Sequence, residues 1–119
     1  MEKCKIKKPT LTSSRKSKGR LLQKLVRDVV LKTFSELEPD DVRSTSMGAG
    51  GVDLQLSPLA KRLFPFSLEC KNQESVNVWA SYEQAKKNTL KDTKPLLVIK
   101  RNRTDPLVVI ALTDFMELV

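Results

Sequence analysis

The amino-acid sequence predicts a domain of the α/β (α+β) class, a mixed β-sheet flanked by helices. Apolar residues first recur at steps of three and four, which is the spacing of an amphipathic helix. In two later segments they alternate with polar residues, which is the period of a half-buried strand. Two dense runs of Leu, Val and Ile come last. The predicted order is a helix, three strands, a helix, two strands and a terminal helical turn, typical of a sheet covered by helices.

The first predicted helix begins at Gly19 and ends between Ser35 and Pro39, where a Pro-Asp-Asp turn interrupts the pattern. Its apolar positions form one stripe, and charged residues occupy the other side, as in a helix packed against a sheet. The stripe consists of Leu21, Leu22, Leu25, Val26, Val29, Val30 and Phe34.

The three strands predicted next are short. Residues 42–46 form the first, and the glycine-rich run 47–51 separates it from the second, 52–57. A helical turn over 59–64 precedes the third strand, 66–71. Alternation in the third strand places Phe66, Leu68 and Cys70 on one face and Ser67, Glu69 and Lys71 on the other.

The remaining elements follow from helical spacing and from apolar runs. Residues 78–90 are predicted to form the second helix, and 95–100 and 106–112 the last two strands. The density of Leu, Val and Ile predicts that both strands are central and buried on two sides. Residues 113–119 are predicted to form a helical turn, with Thr113 or Asp114 as its N-cap.

Positive charge is concentrated at one end of the chain. The 119 residues carry a formal net charge of +8, and residues 1–20 hold eight basic side chains against one acid. Residues 1–17 are predicted to be a flexible basic arm preceding a single domain, 18–119, because Lys, Ser and Thr bury little apolar surface. Nucleic acid is the expected partner, since contacts with phosphate supply most sequence-independent affinity. A solubilising or localisation tail is the alternative.

The composition excludes several classes of function. The sequence has no histidine, and its two cysteines are far apart, which excludes Cys/His zinc sites and mechanisms that need a histidine base. No apolar run approaches the ~20 residues that span a bilayer, and no signal peptide is recognisable. We therefore expect a cytoplasmic protein that does not bind membranes.

Three charged residues on neighbouring predicted strands form a candidate site. Glu69 and Lys71 lie on one face of their strand, about 6.6 Å apart along it. Asp53 also points away from the apolar face of its strand, so pairing of the two strands brings Asp53 close to Glu69. Two carboxylates beside a lysine suit Mg²⁺ or Mn²⁺, which prefer oxygen ligands. The alternative interpretation is an ordinary surface ion pair.

These residues resemble the core of the PD-(D/E)xK nuclease superfamily over residues 18–112. The resemblance rests on Gly51-Val52-Asp53, on Glu69-Cys70-Lys71 and on Gln84 in the following helix. It implies a restriction-endonuclease-like αβββαβ core. Segments 15–20, 43–46 and 64–72 are similar to archaeal-type Holliday-junction resolvases and to small phage-encoded relatives.

The resemblance also implies roles for individual residues. Asp53 and Glu69 would be metal ligands together with the backbone carbonyl of Cys70, Lys71 the catalytic lysine, and Gln84 the residue that orients water or phosphate. The DNA-binding residues would be Arg15, Lys16, Lys18, Arg20, Arg43 and Ser44. The resolvases carry a glutamate where this sequence has Gln23. Gln23 would bind the metal through its carbonyl oxygen, act through water, or mark reduced activity.

The implied function is a Mg²⁺-dependent DNA endonuclease, with Mn²⁺ able to substitute, that acts on branched DNA as a homodimer. A two-fold dimer would supply the two active sites that cleavage of two strands requires. One alternative is a DNA-binding module with the same fold and weakened catalysis. Another is a structural protein whose basic tail binds RNA. The motifs do not distinguish a Holliday junction from a flap, a nick or plain duplex.

Two further pairs of residues have competing interpretations. Trp79 and Tyr82 are expected in the core or at a dimer interface, with stacking on bases as the alternative. Arg101 and Arg103, in a turn between strands, contact DNA phosphate or belong to an ordinary solvated turn.

Overall fold

The computed structural model describes residues 11–45 and 51–119. Four helices and five strands follow one another in this part of the chain. They are α1 (Leu11–Thr33), β1 (Val42–Ser44), β2 (Leu54–Leu56), α2 (Pro58–Leu63), β3 (Phe66–Asn72), α3 (Val78–Lys87), β4 (Lys94–Lys100), β5 (Leu107–Val109) and α4 (Leu112–Met116). A short 3₁₀-helix, Pro39–Asp41, precedes β1. The mixed α/β class predicted from the sequence is confirmed. Most of the predicted glycine-rich run, 47–51, lies outside the described residues.

The strands form two sheets rather than the single mixed sheet that was expected. β1 and β2 pair antiparallel, while the second sheet has the order β3-β4-β5. In this larger sheet β3 is parallel to β4, and β5 is antiparallel to β4. β2 is only three residues long and is not paired with β3 in a sheet. The two segments are instead joined by one main-chain hydrogen bond near the start of β2. The Asp53 N–H, just before β2, donates to the carbonyl oxygen of Leu68 in β3 at 3.0 Å.

One face of β3 belongs to the hydrophobic core, which it shares with α1. Helix α1 packs against β3 and β1. The predicted inner face of β3 is confirmed, because its apolar side chains are all buried in one cluster with residues of α1, β1, β2 and β4. The cluster includes Leu22, Val30, Val42, Leu54, Phe66, Leu68, Cys70, Leu96 and Val98.

Helix α3 covers the other face of β3 and β4. Its inward residues are small, and Ser81 and Ala85 are buried there. Small residues let the helix lie close to the sheet, so Glu69 of β3 and its register partner Leu97 of β4 are both buried. The alternation in β3 predicted a half-buried strand with its polar face in solvent. In the structure β3 is covered on both faces, by α1 on one and by α3 on the other.

Helix α1 begins eight residues before the predicted start at Gly19. Its first turns, from Leu11, fall within the segment 1–17 that was expected to be a flexible arm, and residues 1–10 lie outside the described part. A single glycine inside a helix costs only ~1 kcal/mol relative to alanine, so Gly19 does not end it. The predicted boundary between arm and domain does not coincide with the beginning of this helix.

The end of the chain differs more from the predictions. Strand β5 is exposed, with Leu107 and Val108 accessible to 63% and 60%, so its predicted two-sided burial is wrong. Among the described strands β5 pairs only with β4, and it forms the edge of its sheet. The N-cap of α4 is Ala111, which makes no side-chain cap hydrogen bond, so the predicted cap is also wrong. Asp114 instead forms an ion pair with Lys94 at 3.7 Å.

The two aromatic residues of α3 have different surroundings. Trp79 is 85% exposed, so its assignment to the core is wrong. The Tyr82 hydroxyl accepts a hydrogen bond from the Ala111 N–H at 3.2 Å, which ties α3 to the segment before α4. Contact of Trp79 with a base or with a second chain stays a prediction.

Asp41 holds the 3₁₀-helix against α2, and this contact predicts a pH-dependent stability. Its carboxylate accepts from the Ser57 hydroxyl at 2.6 Å and from the Glu38 N–H at 2.7 Å. The Ser57 bond, followed by the Glu38 bond, lowers the pKa of Asp41 below its ordinary value of 3.8. A carboxyl with a lowered pKa contributes stability above its unfolded pKa, and this contribution is lost as the pH falls through the folded pKa.

We therefore expect Asp41→Asn to lower the melting temperature at pH 7 and to have progressively less effect as the pH falls below 3.8. Thermal melts of both proteins across that range measure the difference. Asp40→Asn is the matched control, since Asp40 is exposed in the same short helix. If the difference in melting temperature between Asp41→Asn and the original protein is as large at low pH as at pH 7, this interpretation is contradicted.

Candidate active site

The approach of the segment before β2 to β3 brings Asp53 to the edge of β3. The main chain of Asp53 donates to Leu68, and its side chain returns to the same strand two residues later. Oδ2 of Asp53 accepts a hydrogen bond from the Cys70 N–H at 2.6 Å. These two bonds fix the position of the Asp53 carboxylate relative to Glu69, which lies between Leu68 and Cys70 in sequence.

Glu69 and Lys71 lie on the face of β3 that the alternation predicted. The Nζ of Lys71 is 3.6 Å from Oε2 of Glu69. The Glu69 side chain is only 6% exposed, whereas that of Lys71 is 25% exposed. The lysine therefore links a buried carboxylate with the protein surface.

Burial controls the protonation of both carboxyl groups. It raises the pKa of Asp53, and the Cys70 N–H and the Lys71 charge oppose this shift. Burial also raises the pKa of Glu69, and the negative charge of Asp53 raises it further. Lys71 and a hydrogen bond from Asn88 act in the opposite direction. The two carboxylates are close enough to repel each other. The single positive charge of Lys71 only partly offsets their negative charge.

The arrangement fits a divalent cation with oxygen ligands. Oε1 of Glu69 is buried and has no hydrogen-bond partner among the described residues, and the same holds for the hydroxyl oxygen of Thr45, next to Asp53. Buried oxygens of this kind need a donor or a cation. A Mg²⁺ or Mn²⁺ ion would satisfy Oε1 and relieve the repulsion between the carboxylates.

Cys70 would contribute its main-chain carbonyl oxygen to this site, whereas its thiol points away from it. The N–H and C=O of one strand residue point to the same side, so the Cys70 carbonyl lies on the edge of β3 where Asp53 is bound. The side chain points into the core, where burial raises the pKa of the thiol. Within residues 11–45 and 51–119, no group of three or more Asp, Glu, Cys or His side chains could hold a metal ion. The ligand set would therefore be two carboxylates and neutral oxygens.

The polar helix residue that reaches Glu69 is Asn88 rather than Gln84. The Gln84 side chain is exposed on α3, and the structure gives it no hydrogen bond to Asp53, Glu69 or Lys71. Asn88, one turn later, is the C-cap residue of α3 and bonds to Glu69. Sequence analysis missed Asn88 because the predicted helix continued to Leu90. Asparagine near a helix end is the signal that could have identified it.

Gln23 lies near the candidate site on the α1 side. It is 3% exposed and borders a groove of about 540 Å³ together with Thr45. The Thr45 N–H donates to the carbonyl oxygen of Asp53 at 2.9 Å, so Thr45 links the groove that Gln23 borders to the Asp53 main chain. The predicted DNA-binding residues Arg20, Arg43 and Ser44 border the same groove.

The other predicted DNA-binding residues lie on the first half of α1. Arg15 and Lys16 are exposed there. The carbonyl oxygen of Lys18 accepts from Nδ2 of Asn72 at 2.9 Å, which ties α1 to the carboxyl end of β3. The basic start of α1 and the candidate site are therefore held at the same end of the sheet.

The position of Gln23 predicts a metal-dependent effect of one substitution. Gln23→Glu places a buried carboxylate at the groove that Thr45 links to Asp53. If this position belongs to the metal site, the variant should melt at a lower temperature than the original protein in EDTA, because a buried carboxylate without a cation is unfavourable. In Mg²⁺ it should regain stability, because a ligand that binds only the folded state stabilises that state. Thermal melts with and without Mg²⁺ measure this, and an identical Mg²⁺-induced shift in both proteins would place Gln23 outside the metal site.

Comparisons with protein-family models, with curated protein sequences and with solved structures find no match to this chain. No helix in the described part of the chain is both long and apolar enough to cross a membrane.

Proposed function

We propose that the chain is a Mg²⁺-dependent DNA endonuclease with a PD-(D/E)xK core, and that Asp53, Glu69 and Lys71 form its active site. The observation that carries the proposal is the buried Glu69 carboxylate. One of its oxygens has no partner among the described residues, Asp53 lies close by, and Lys71 contacts its other oxygen at 3.6 Å. A lone surface ion pair would leave the buried Oε1 of Glu69 without a partner, whereas a Mg²⁺ ion bound through one or two carboxylates would satisfy it.

Each residue has a distinct part in hydrolysis of a phosphodiester bond. Asp53, Glu69 and the Cys70 carbonyl would hold the cation, which would supply the positive charge that polarises a phosphate and activates water. Lys71 lies at the surface of the site, where its charge stabilises the negative charge that develops on the phosphate oxygens as water attacks phosphorus. Lys71 contacts Glu69 at 3.6 Å, and Lys71 and Asn88 both lower the pKa of Glu69 and so favour its ionised form.

The basic groove between α1 and β1 supports DNA as the substrate. Arg20 and Arg43 border this groove next to Gln23 and Thr45, and Arg15 and Lys16 continue the positive surface along α1. These cations would position phosphates without reading bases. Cleavage of two strands of a branched molecule requires two active sites, which a two-fold homodimer would supply.

A second candidate function follows from the neutral side chain of Gln23. This buried amide borders the same groove as Thr45, whose N–H bonds to the Asp53 main chain, and the resembling resolvases carry an acid at this position. A site with fewer charged ligands binds Mg²⁺ more weakly. The alternative function is therefore a DNA-binding module that keeps the fold and cleaves slowly or not at all.

A cleavage panel distinguishes the two functions. Four-way junction, flap, nicked and linear DNAs, and a single-stranded RNA, are incubated with the protein in Mg²⁺, Mn²⁺ or EDTA. We expect cleavage of branched DNA with either metal and none in EDTA, with Asp53→Asn as the inactive control. Binding of branched DNA without cleavage under any condition would support the binding module. If the protein binds the RNA but none of the DNAs, both proposed functions are wrong.

The basic residues before α1 are expected to contribute electrostatic affinity. Deleting residues 1–9 removes four lysines and one glutamate while α1 keeps its first residue, Leu11. DNA binding should weaken, and the slope of log K against log salt should become shallower by about 1 to 3, because fewer phosphates are neutralised. The melting temperature should not change. Binding isotherms at several salt concentrations measure the slope, and an unaltered slope would show that these lysines do not contact DNA.

A further inference from the structure

A second concavity lies beside Lys71, at the carboxyl ends of β3 and β4. It is a cavity of about 280 Å³. Its apolar lining comes from four side chains on three elements and the loop before α3. They are Val76, Val78, Ile99 and Leu107. The cavity is much smaller than pockets that take large ligands, which reach about 1,000 Å³.

Hydrogen bonds hold the rim of this cavity in place. The Gln73 N–H donates to the carbonyl oxygen of Lys100 at 2.9 Å, and the Asn102 N–H donates to Oε2 of Glu74 at 2.5 Å. These bonds join the segment after β3 to the turn between β4 and β5. The cavity is therefore formed before any ligand binds, and binding does not require the rim to become ordered.

The strand register places the cavity close to the candidate active site. Lys71 of β3 is opposite Ile99 of β4, which is opposite Leu107 of β5, so the three side chains share one face of the sheet. Neighbouring strands are about 4.8 Å apart, which puts the main chains of Ile99 and Leu107 about 5 and 10 Å from that of Lys71. A nucleotide adjoining a phosphate at Lys71 would reach the cavity.

The charges around the rim indicate a neutral ligand with polar edges. The cations Lys100 and Arg101 are balanced by the acids Glu74 and Asp105. The two acids on the rim would repel a free phosphate or a second polyanion as much as the two basic residues attract it, so an anionic ligand is not favoured. A nucleobase is flat, has apolar faces for the lining, and carries donors and acceptors at its edge for Asp105 and Gln73.

We propose that this cavity binds one unpaired nucleobase of the DNA, next to the phosphate held at Lys71. The inference rests on the proposed function and narrows its substrate class. A base within a duplex must leave the stack to enter such a cavity, and this costs least for a base that is already unpaired. Flaps, gaps and bulges beside a branch are therefore preferred to fully paired junctions.

The test places 2-aminopurine, one position at a time, at the unpaired nucleotides beside the branch of a flap DNA. Fluorescence is measured with the protein in EDTA, so that no cleavage occurs. At one position we expect a rise of at least twofold on binding, because the base leaves its stack and the cavity lining contains no aromatic side chain. The same base within a plain duplex should give no rise.

Two neighbouring residues of β5 supply a matched pair of variants. Leu107→Asp introduces a carboxylate into the apolar lining, and Val108→Asp introduces one on the opposite face of the same strand. The two side chains are similarly exposed, so their effects on folding should be similar. Leu107→Asp should abolish the fluorescence rise and weaken flap binding at least fivefold, and Val108→Asp should change neither. Val76→Phe, which fills the cavity from another wall, should act like Leu107→Asp.

The outcomes separate this inference from the proposed function. No fluorescence rise at any position, or equal responses of both β5 variants, would overturn the base site even if the protein cleaves DNA. A rise that depends on Leu107 in a protein without nuclease activity would support the base site and overturn the endonuclease.

Discussion

Replacement of Asp53 by Asn or of Glu69 by Gln will reduce Mg²⁺-dependent cleavage of branched DNA by about 10³-fold or more. Each change removes one of the two carboxylates that would hold the cation, and loss of charge stabilisation at a phosphoryl centre costs several kcal/mol of activation energy. DNA affinity in EDTA should be unchanged or higher, since each change removes a negative charge that would lie near phosphate in the proposed complex. Rates are measured under single turnover and affinities by fluorescence anisotropy.

Asp53→Asn preserves the contact that holds Asp53 against β3, whereas Glu69→Gln removes the charge that pairs with Lys71 at 3.6 Å. In Asp53→Asn the new amide oxygen can still accept from the Cys70 N–H, which bonds to Oδ2 of Asp53 at 2.6 Å. Burial and mutual repulsion disfavour the ionised carboxylates, so a neutral side chain should raise the melting temperature in EDTA. A loss of activity together with higher stability excludes misfolding as its cause.

Glu83→Gln is the control for this pair of variants. Glu83 is an exposed acid on α3 that contacts Lys86 at 3.4 Å, away from the β3 carboxylate. Its replacement should change neither rate nor affinity. If Asp53→Asn and Glu69→Gln cleave as fast as Glu83→Gln, the two carboxylates are not the active site.

The second large effect is expected for Lys71→Ala. Turnover should fall by about 10²- to 10³-fold, the range observed when one group that stabilises transition-state charge is removed. DNA affinity should change by less than about threefold, because Lys71 is one of 22 basic residues and each adds little to binding. Burst and steady-state kinetics together with anisotropy separate the two quantities.

Lys87→Ala is the matched control, since Lys87 is an exposed lysine in the last turn of α3. It should change neither turnover nor affinity appreciably. Equal losses of rate and affinity in Lys71→Ala would reduce Lys71 to a simple phosphate contact, whatever the role of the carboxylates.

The sequence was sufficient to place the charged residues on the correct faces of their strands. Alternation along β3 predicted that Phe66, Leu68 and Cys70 face the core and that Glu69 and Lys71 share the other face, and burial and contacts agree. It did not predict that Glu69 is buried. Periodicity specifies a face, whereas burial depends on the close approach of α3, whose small residues Ser81 and Ala85 face the sheet.

Features that depend on packing between distant segments were not predictable. Asn88 acts on Glu69 from the C-cap position of α3, and the apolar pattern gave no reason to end the helix at Lys87. The exposure of β5 has a similar origin, since its Leu and Val content is that of a buried strand. The cavity beside Lys71 is formed by three elements and two loops, and no sequence period reports such an arrangement.

The central claim is that Asp53 and Glu69 hold a divalent cation at the phosphate of bound DNA. Its most direct test is a Mn²⁺ titration, followed by electron paramagnetic resonance, of flap DNA bound to the Lys71→Ala protein, in which slow turnover keeps the DNA intact. We predict that this complex takes up about one more Mn²⁺ per chain than the complex of the Asp53→Asn/Lys71→Ala protein, because the second protein lacks a carboxylate ligand. Equal uptake by the two complexes would contradict the claim.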